Sequence, residues 1–367
     1  MSFIDRTAPI REGEELDLAV LETYLKDYLP DLAGSLVVEQ FPSGHSNLTY
    51  LLRVGERDLV LRRPPFGTTV KSAHDMGREF SVLSALSPIY RCAPKPLLYC
   101  EDSSVLGAPF YVMERIEGVI FRGRAPAGLS LPPDEVHRIC ESFIDNLALL
   151  HSLDYEAAGL GALRKPGQYT ERQVRGWAQR YTGSQTDDLP DIDFTSAWLT
   201  EHIPPDTGAT LIHNDYKFDN IALDPADLAR IIGVFDWEMA TIGDPLMDLG
   251  TSIGYWAEPG DADELKQVQC FLTILPGSMT RKQLAERYAQ VTGREVADLQ
   301  FYYVFALFKL AVIIQQIYYR YKKGLTHDRR FATMIETVRI LGRRGVETIE
   351  SGEIGGTGGE RNPALPG

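Results

Sequence analysis

The sequence predicts an α+β chain in two parts, a small lobe built on an antiparallel sheet with one helix and then a larger, mainly helical lobe. Three observations predict it. Short apolar runs with turn residues between them fill the stretch up to about residue 117. Apolar stripes at helical spacing dominate after Glu117-Gly118. The length of 367 residues also exceeds what one hydrophobic core usually organises.

The elements follow in order. Residues 15–29 repeat apolar groups every three to four positions, as an amphipathic helix does, and Pro30 ends it. Ser35 to Phe41, Leu48 to Val54 and Asp58 to Leu61 read as strands, the last two joined by a Gly55-Glu-Arg turn. A helix is expected over 73–86, and strands at 95–99 and 110–115. In the second part Val136, Ile139, Phe143, Leu147 and Leu150 mark one buried helical stripe behind Pro132-Pro133-Asp134. Helices are also expected over 195–203, 281–292 and 298–323, with brief strands at 210–212, 221–223 and 231–235. Ser351 to Gly367 is rich in Gly and Pro and is expected to be disordered. The domain reading is therefore 1–117, 118–350 and a tail, 351–367.

Composition narrows the function. Hydrophobic residues make up 44% and charged residues 24%, as in an ordinary soluble globular protein. Acidic residues exceed basic ones by 14, which speaks against nucleic acid as the main partner, because phosphate neutralisation needs a basic face. The N-terminus shows no apolar signal region, and the apolar stretch Leu299 to Tyr319 is interrupted by Lys309 and Gln315-Gln316. A cytoplasmic protein with no membrane span is the expectation. Cysteines 92, 100, 140 and 270 have neither zinc-site spacing nor the density of a disulfide scaffold. Oligomeric state is left open.

The chemistry concentrates in His213-Asn-Asp215-Tyr-Lys217-Phe-Asp-Asn220, followed sixteen residues later by Asp236-Trp-Glu238. Phosphoryl transfer asks a protein for a carboxylate that orients the attacking hydroxyl and takes its proton, and for ligands to a Mg²⁺ bridging the phosphates. Asp215 suits the first task. Asn220 and Asp236 suit the second, being hard oxygen donors. The H-x-D-x-x-x-x-N spacing puts Asp and Asn on one loop between two short strands.

In the order in which they occur, five phrases resemble the aminoglycoside phosphotransferase-like branch of the protein-kinase-like superfamily. They are Leu59-Val-Leu-Arg-Arg-Pro-Pro-Phe-Gly67, His74-Asp-Met-Gly-Arg-Glu-Phe80, Tyr111-Val-Met-Glu-Arg-Ile-Glu-Gly118, His213 to Asn220, and Phe235 to Leu249. Within that branch the chain is most similar to the kinase-like domain fused to acyl-CoA dehydrogenases. The resemblance implies a bilobal protein-kinase-like fold that uses ATP, with GTP left open, and Mg²⁺. It implies Asp215 as catalytic base or orienting carboxylate, Lys217 beside the γ-phosphate, and Asn220 and Asp236 on the metal. Asp248 would brace the catalytic loop, and His213 would be scaffolding. Arg62 would stand where the family usually has a lysine on the α/β-phosphates, with Glu79 as its ion-pair partner. Strand alternation sends Arg63 to the other face. Ser43, Gly44, Ser46 and Asn47 would form the phosphate-covering turn, and Met113, Glu114 and Ile116 the hinge that meets the adenine.

Other signals carry less. Gly250-Thr-Ser252-Ile-Gly254 fits a nucleophile-elbow pattern, yet no buried strand immediately precedes it. The aromatic run from Phe301 reads as helix core, and the basic cluster Arg320, Lys322, Lys323, Arg329 and Arg330 as a solvated helix end. The expected activity is phosphorylation of a hydroxyl on a small molecule, a hydroxyacyl-CoA-type metabolite by analogy. An aminoglycoside or amino-alcohol kinase and a nucleotide-binding pseudokinase module are the alternatives. Glu238 beside the proposed metal residues lends modest support to a cationic acceptor.

Overall fold

The structure, a computed structural model, describes residues 3–42, 47–66, 75–123, 128–268 and 271–356. The chain opens with α1 (Leu18–Tyr28), β1 (Leu36–Gln40), β2 (Leu48–Val54) and β3 (Arg57–Arg63). Next come α2 (Met76–Leu86), β4 (Pro96–Cys100), α3 (Ser103–Leu106) and β5 (Phe110–Glu114). Three long helices, α4 (Pro133–Ser152), α5 (Tyr169–Thr182) and α6 (Pro190–Glu201), precede β6 (Thr210–Ile212), β7 (Ile221–Asp224), β8 (Asp227–Val234) and β9 (Thr241–Gly243). The chain continues through α7 (Pro245–Gly254), α8 (Asp263–Lys266), α9 (Arg281–Thr292), α10 (Leu299–Lys322) and α11 (Met334–Ser351). These elements fall into two compact units. Met1–Ile120, Glu156–Leu160 and Asn220–Ala240 form the first, and Phe121–Tyr155, Gly161–Asp219 and Thr241–Gly367 the second.

The first unit is a five-stranded antiparallel sheet of order β1-β2-β3-β5-β4. Alternation along the strands sorts its side chains. Tyr50, Leu52, Leu59, Leu61, Phe110 and Val112 bury one face together with Leu21 and Leu25 of α1. Arg63 lies on this face too, donating to the Leu106 carbonyl at 2.8 Å with its guanidinium 3.7 Å from the Phe66 ring centre. Its neighbour Arg62 lies on the opposite face, as the alternation predicts, and meets Glu79 of α2. Helix α2 starts at Asp75, whose side chain accepts the Arg78 N–H and so satisfies one of the free amides of the first turn.

The hairpin β7–β8 also belongs to this unit. Leu223 exchanges both backbone hydrogen bonds with Val119, at 2.8 and 2.9 Å, which ties the hairpin to the strand exit after β5. Gly118 permits the approach, since a Cβ there would sit 2.7 Å from the Ala222 methyl. In the hairpin register Ile221 faces Val234, and the Phe235 N–H donates to the Asn220 carbonyl at 2.8 Å. Asn220 and Asp236 therefore emerge from one end of one hairpin.

The second unit is mainly helical and packs around α10. That helix is apolar and long enough to cross a membrane, but 72% of its most apolar window is buried in the protein. Helix α7 crosses it at Gly250 and Gly254, where an added Cβ would meet Tyr302 Cβ at 2.6 Å and Ala306 Cβ at 2.5 Å. The nucleophile-like pattern is thus a close helix crossing, and Ser252 between the two glycines is buried inside α7. Residues 351–356 of the expected tail are described, with 351–353 exposed and Ile354 buried. The Ile354 carbonyl accepts from Arg281 at 2.9 Å and from Arg344 at 3.0 Å. Residues 357–367 lie outside the described residues.

Asp248, fully buried in α7, is the polar centre of this unit. It accepts the backbone N–H groups of His213 and Asn214 at 2.7 Å each, and His151 of α4 approaches at 3.1 Å. The far nitrogen of His151 pairs with the Tyr288 hydroxyl of α9 at 2.7 Å. Burial alone would raise the Asp248 pKa, but the hydrogen bond and charge of His151, the charge of His213 and the His213 N–H outweigh it and hold the carboxyl below its ordinary 3.8.

Gly250→Ala gains up to about 1 kcal/mol of helix propensity but forces the α7–α10 crossing apart, so a net loss of about 1–3 kcal/mol is expected in denaturant unfolding. A midpoint at or above wild type would contradict the crossing. Asp248→Ala strands two buried N–H donors and should cost on the order of 3 kcal/mol or more. Because the folded pKa lies below the unfolded one, the ionic contribution of Asp248 is complete above pH 4 and is lost as pH falls through the folded value. Acid unfolding of Asp248→Asn should accordingly be flatter below pH 4 than that of wild type, and parallel curves would count against the arrangement.

Candidate active site

In the first unit, Arg62 on β3 is only 8% exposed and spans two carboxylates. One terminal nitrogen lies 3.3 Å from Glu79 of α2, and the other donates to Asp236 at 2.9 Å. A planar fork with separate donors allows this double contact, where a lysine would offer a single point charge. Burial opposes the Arg62 charge, but Glu79, Tyr111 and Asp236 more than offset it and hold the guanidinium firmly protonated. Glu79 shifts upward because burial, reinforced by Asp236, outweighs the attraction of Arg62. Its carboxylate also accepts the Trp237 N–H at 3.1 Å, which fixes the chain just after Asp236.

Asp236 takes up a left-handed backbone, φ 68°, at the turn beyond β8. Around this turn the Asn47 side chain donates to Glu238 at 2.9 Å, and Arg78 of α2 donates to the Glu238 and Ala240 carbonyls. Helix α2 thus holds the 236–240 segment by two side chains, Glu79 and Arg78. The expected hinge is the end of β5. Met113 is buried, and the Glu114 N–H is engaged by the Lys95 carbonyl at 2.9 Å, so this amide is already committed within the sheet. Ile116 packs against Gly233 of β8. Ser43, Gly44 and Ser46 of the expected phosphate-covering turn lie outside the described residues.

In the second unit, β6 pairs with β9 and delivers the chain to His213. The consecutive amides at 213 and 214 both reach Asp248, and Asn214 then turns the chain with a left-handed φ of 67°. The Tyr169 hydroxyl donates to the Asn214 side chain at 2.8 Å, and Lys309 of α10 donates to the Asn214 carbonyl at 2.9 Å. The Asp215 N–H donates to His213 Nδ1 at 3.2 Å, which makes His213 part of the scaffold. The Asp215 carboxylate is met by Lys217, whose Nζ is 2.9 Å from each oxygen, and by the Tyr255 hydroxyl at 3.0 Å. The Lys217 ammonium also sits 4.7 Å from the Tyr255 ring centre. Nearby, burial raises the Asp219 carboxyl against the pull of Lys217 and Arg122.

The structure therefore brings Arg62, Glu79 and Asp236 together, and separately Asp215 and Lys217. It adds Arg78, Tyr255 and Lys309, to which the sequence assigned no role. Arg78 stood inside a recognised phrase, and Lys309 was visible as a charge inside an apolar run. Tyr255 had no signal, because nothing in the sequence links it to Asp215 forty residues earlier.

Against known proteins, the model of the phosphotransferase enzyme family matches residues 37–277. Mouse acyl-CoA dehydrogenase family member 10 is 33% identical over 339 residues, covering 92% of this chain and 31% of that protein. Chicken acyl-CoA dehydrogenase family member 11 is 36% identical over 355 residues, covering 93% and 44%. The chain thus spans less than half the length of these curated relatives. Among solved structures, a candidate aminoglycoside phosphotransferase from Ralstonia eutropha superposes with a TM-score of 0.77 at 30% identity, covering 92% of this chain and 99% of that one. Choline kinase from Cryptosporidium parvum shares the fold, with a TM-score of 0.62 at 13% identity and 92% and 97% coverage. With a family match over most of its length and relatives above 30% identity, the chain belongs to the phosphotransferase enzyme family.

Proposed function

We propose that this chain transfers the terminal phosphoryl group of ATP, with Mg²⁺, to a hydroxyl group of a small molecule. The observation that carries the reading is the Asp215 carboxylate held by Lys217 and Tyr255 on a loop whose preceding amides are anchored on Asp248. Residues 118–350 would carry this catalytic loop, and residues 1–117 the nucleotide.

In this reading Asp215 orients the acceptor hydroxyl and takes its proton as the new O–P bond forms and the phosphoanhydride bond breaks. Lys217, already beside Asp215, balances charge that builds on the transferring phosphoryl oxygens. Arg62 meets the nucleotide phosphates with a guanidinium oriented by Glu79. Asn220 and Asp236 fit a Mg²⁺ ion, being one amide and one carboxylate oxygen donor at the same end of the β7–β8 hairpin. Among the described residues no group of three or more His, Cys, Asp or Glu could cage a metal, which suits a cation that draws most of its ligands from phosphate and water. When bound, that ion would neutralise charge on the phosphates.

For the acceptor, we infer a hydroxylated acyl group carried as a CoA thioester. The support is the likeness to acyl-CoA dehydrogenase family members over 92–93% of this chain.

The test compares Asp215→Asn with wild type in nucleotide turnover against a hydroxyacyl-CoA panel and an aminoglycoside and amino-alcohol panel. Turnover in Asp215→Asn is expected to fall at least ~10²-fold with nucleotide affinity little changed. An unchanged rate would remove Asp215 from its role. Turnover with only the second panel would exclude the acyl acceptor, and nucleotide binding with no transfer to any acceptor would favour a pseudokinase module.

A further inference from the structure

A lysine buried in an aromatic helix is unusual enough to need a reason. Lys309 lies in the middle of α10, 5% exposed, within the run Phe301-Tyr-Tyr-Val-Phe-Ala-Leu-Phe-Lys309-Leu. Its neighbours in the helix fill the core of the second unit. A buried ammonium is strongly disfavoured unless specific groups compensate it. Here the compensation is local to the catalytic loop, because Nζ donates to the Asn214 carbonyl at 2.9 Å. Asn214 is the left-handed residue that turns the chain into Asp215.

We propose that Lys309 is a positioning residue for phosphoryl transfer, fixing the Asn214–Asp215 peptide from behind so that the Asp215 carboxylate stays aimed at the acceptor hydroxyl. The geometry divides the labour. Asp248 holds the N–H groups of His213 and Asn214, Tyr169 holds the Asn214 side chain, and Lys309 holds the Asn214 carbonyl. That carbonyl and the Asp215 N–H belong to one peptide plane, and the Asp215 N–H is itself fixed on His213 at 3.2 Å. Lys309 therefore completes the restraint of the peptide that carries the catalytic carboxylate. Burial lowers the Lys309 pKa, and the charged groups facing it are Asp215 and Asp248, which favour the ammonium, and Lys217 and Arg180, which oppose it. Trp177 of α5 adds a ring face 6.0 Å from Nζ.

The inference rests on the phosphotransfer reading of Asp215, and the test separates the two. Lys309→Met keeps an unbranched chain of similar volume and removes the charge and donor. At saturating Mg·ATP and the best acceptor of the two panels, kcat is expected to fall at least ~10-fold, since slight misplacement of a reacting group is enough to cost that much. The dissociation constant for AMP-PNP should stay within about two-fold, because the change touches the carboxylate and not the nucleotide. A purely structural lysine predicts a lower melting temperature with kcat of the folded enzyme unchanged, and that result would overturn the assignment. If Lys309→Met does not fold, Lys309→Leu, which likewise removes the N–H donor, is judged by the same kcat criterion. Asp215→Asn is measured alongside. If it is inactive while the Lys309 variant keeps full kcat, this inference alone fails, whereas an active Asp215→Asn removes the reading beneath it.

Discussion

The second unit is organised by one buried carboxylate accepting two consecutive backbone N–H groups. Both successive amides reach this one carboxylate, and the chain then turns at Asn214, whose backbone is left-handed. The carboxylate of Asp248 must in turn be compensated, which brings in His151 and through it Tyr288, so three helices and a strand end share one polar centre. The loop after β6 owes its shape to this centre rather than to packing of its own side chains. A residue such as Asp215, placed next in sequence, inherits a fixed position without needing to be buried itself.

The first unit solves a different electrostatic problem. Two carboxylates, Glu79 and Asp236, share one buried guanidinium. Arginine in place of lysine makes the arrangement directional, since each acid meets its own edge of the fork. Trp237, whose N–H donates to Glu79 and whose indole donates to the Val234 carbonyl at 2.8 Å, carries that direction into the turn after β8.

Much of this was legible in the sequence because it obeys short-range periodicity. The β2–β3 hairpin, α9 and α10 fall where alternation and helical spacing put them, and the opposed directions of Arg62 and Arg63 follow from the pleat alone. The motif from His213 to Asn220 stood out because residue types and spacing together are restrictive. Helices α5 and α11 went unread. α5 is strongly polar, and α11 carries charges among its apolar positions, so neither stands out until the faces they cover are known. Tyr255 and Arg78 were unreadable in role for a related reason, as their partners are far away in the chain. Glycines 250 and 254 are ambiguous as a pattern, because the same spacing serves a catalytic turn or a tight helix crossing, and the lack of an immediately preceding buried strand pointed away from the first.

The buried guanidinium of Arg281 has a practical consequence for anyone trimming this chain. It pairs with Asp261, donates to the Trp256 carbonyl at 2.9 Å, and reaches the Ile354 carbonyl beyond the last helix, where Arg344 also donates. Ending an expression clone at Ser351, as glycine-rich composition invites, would strip two interior cations of acceptors. Clone design should therefore retain the chain through Gly356, whose amide closes the same cluster on Glu258.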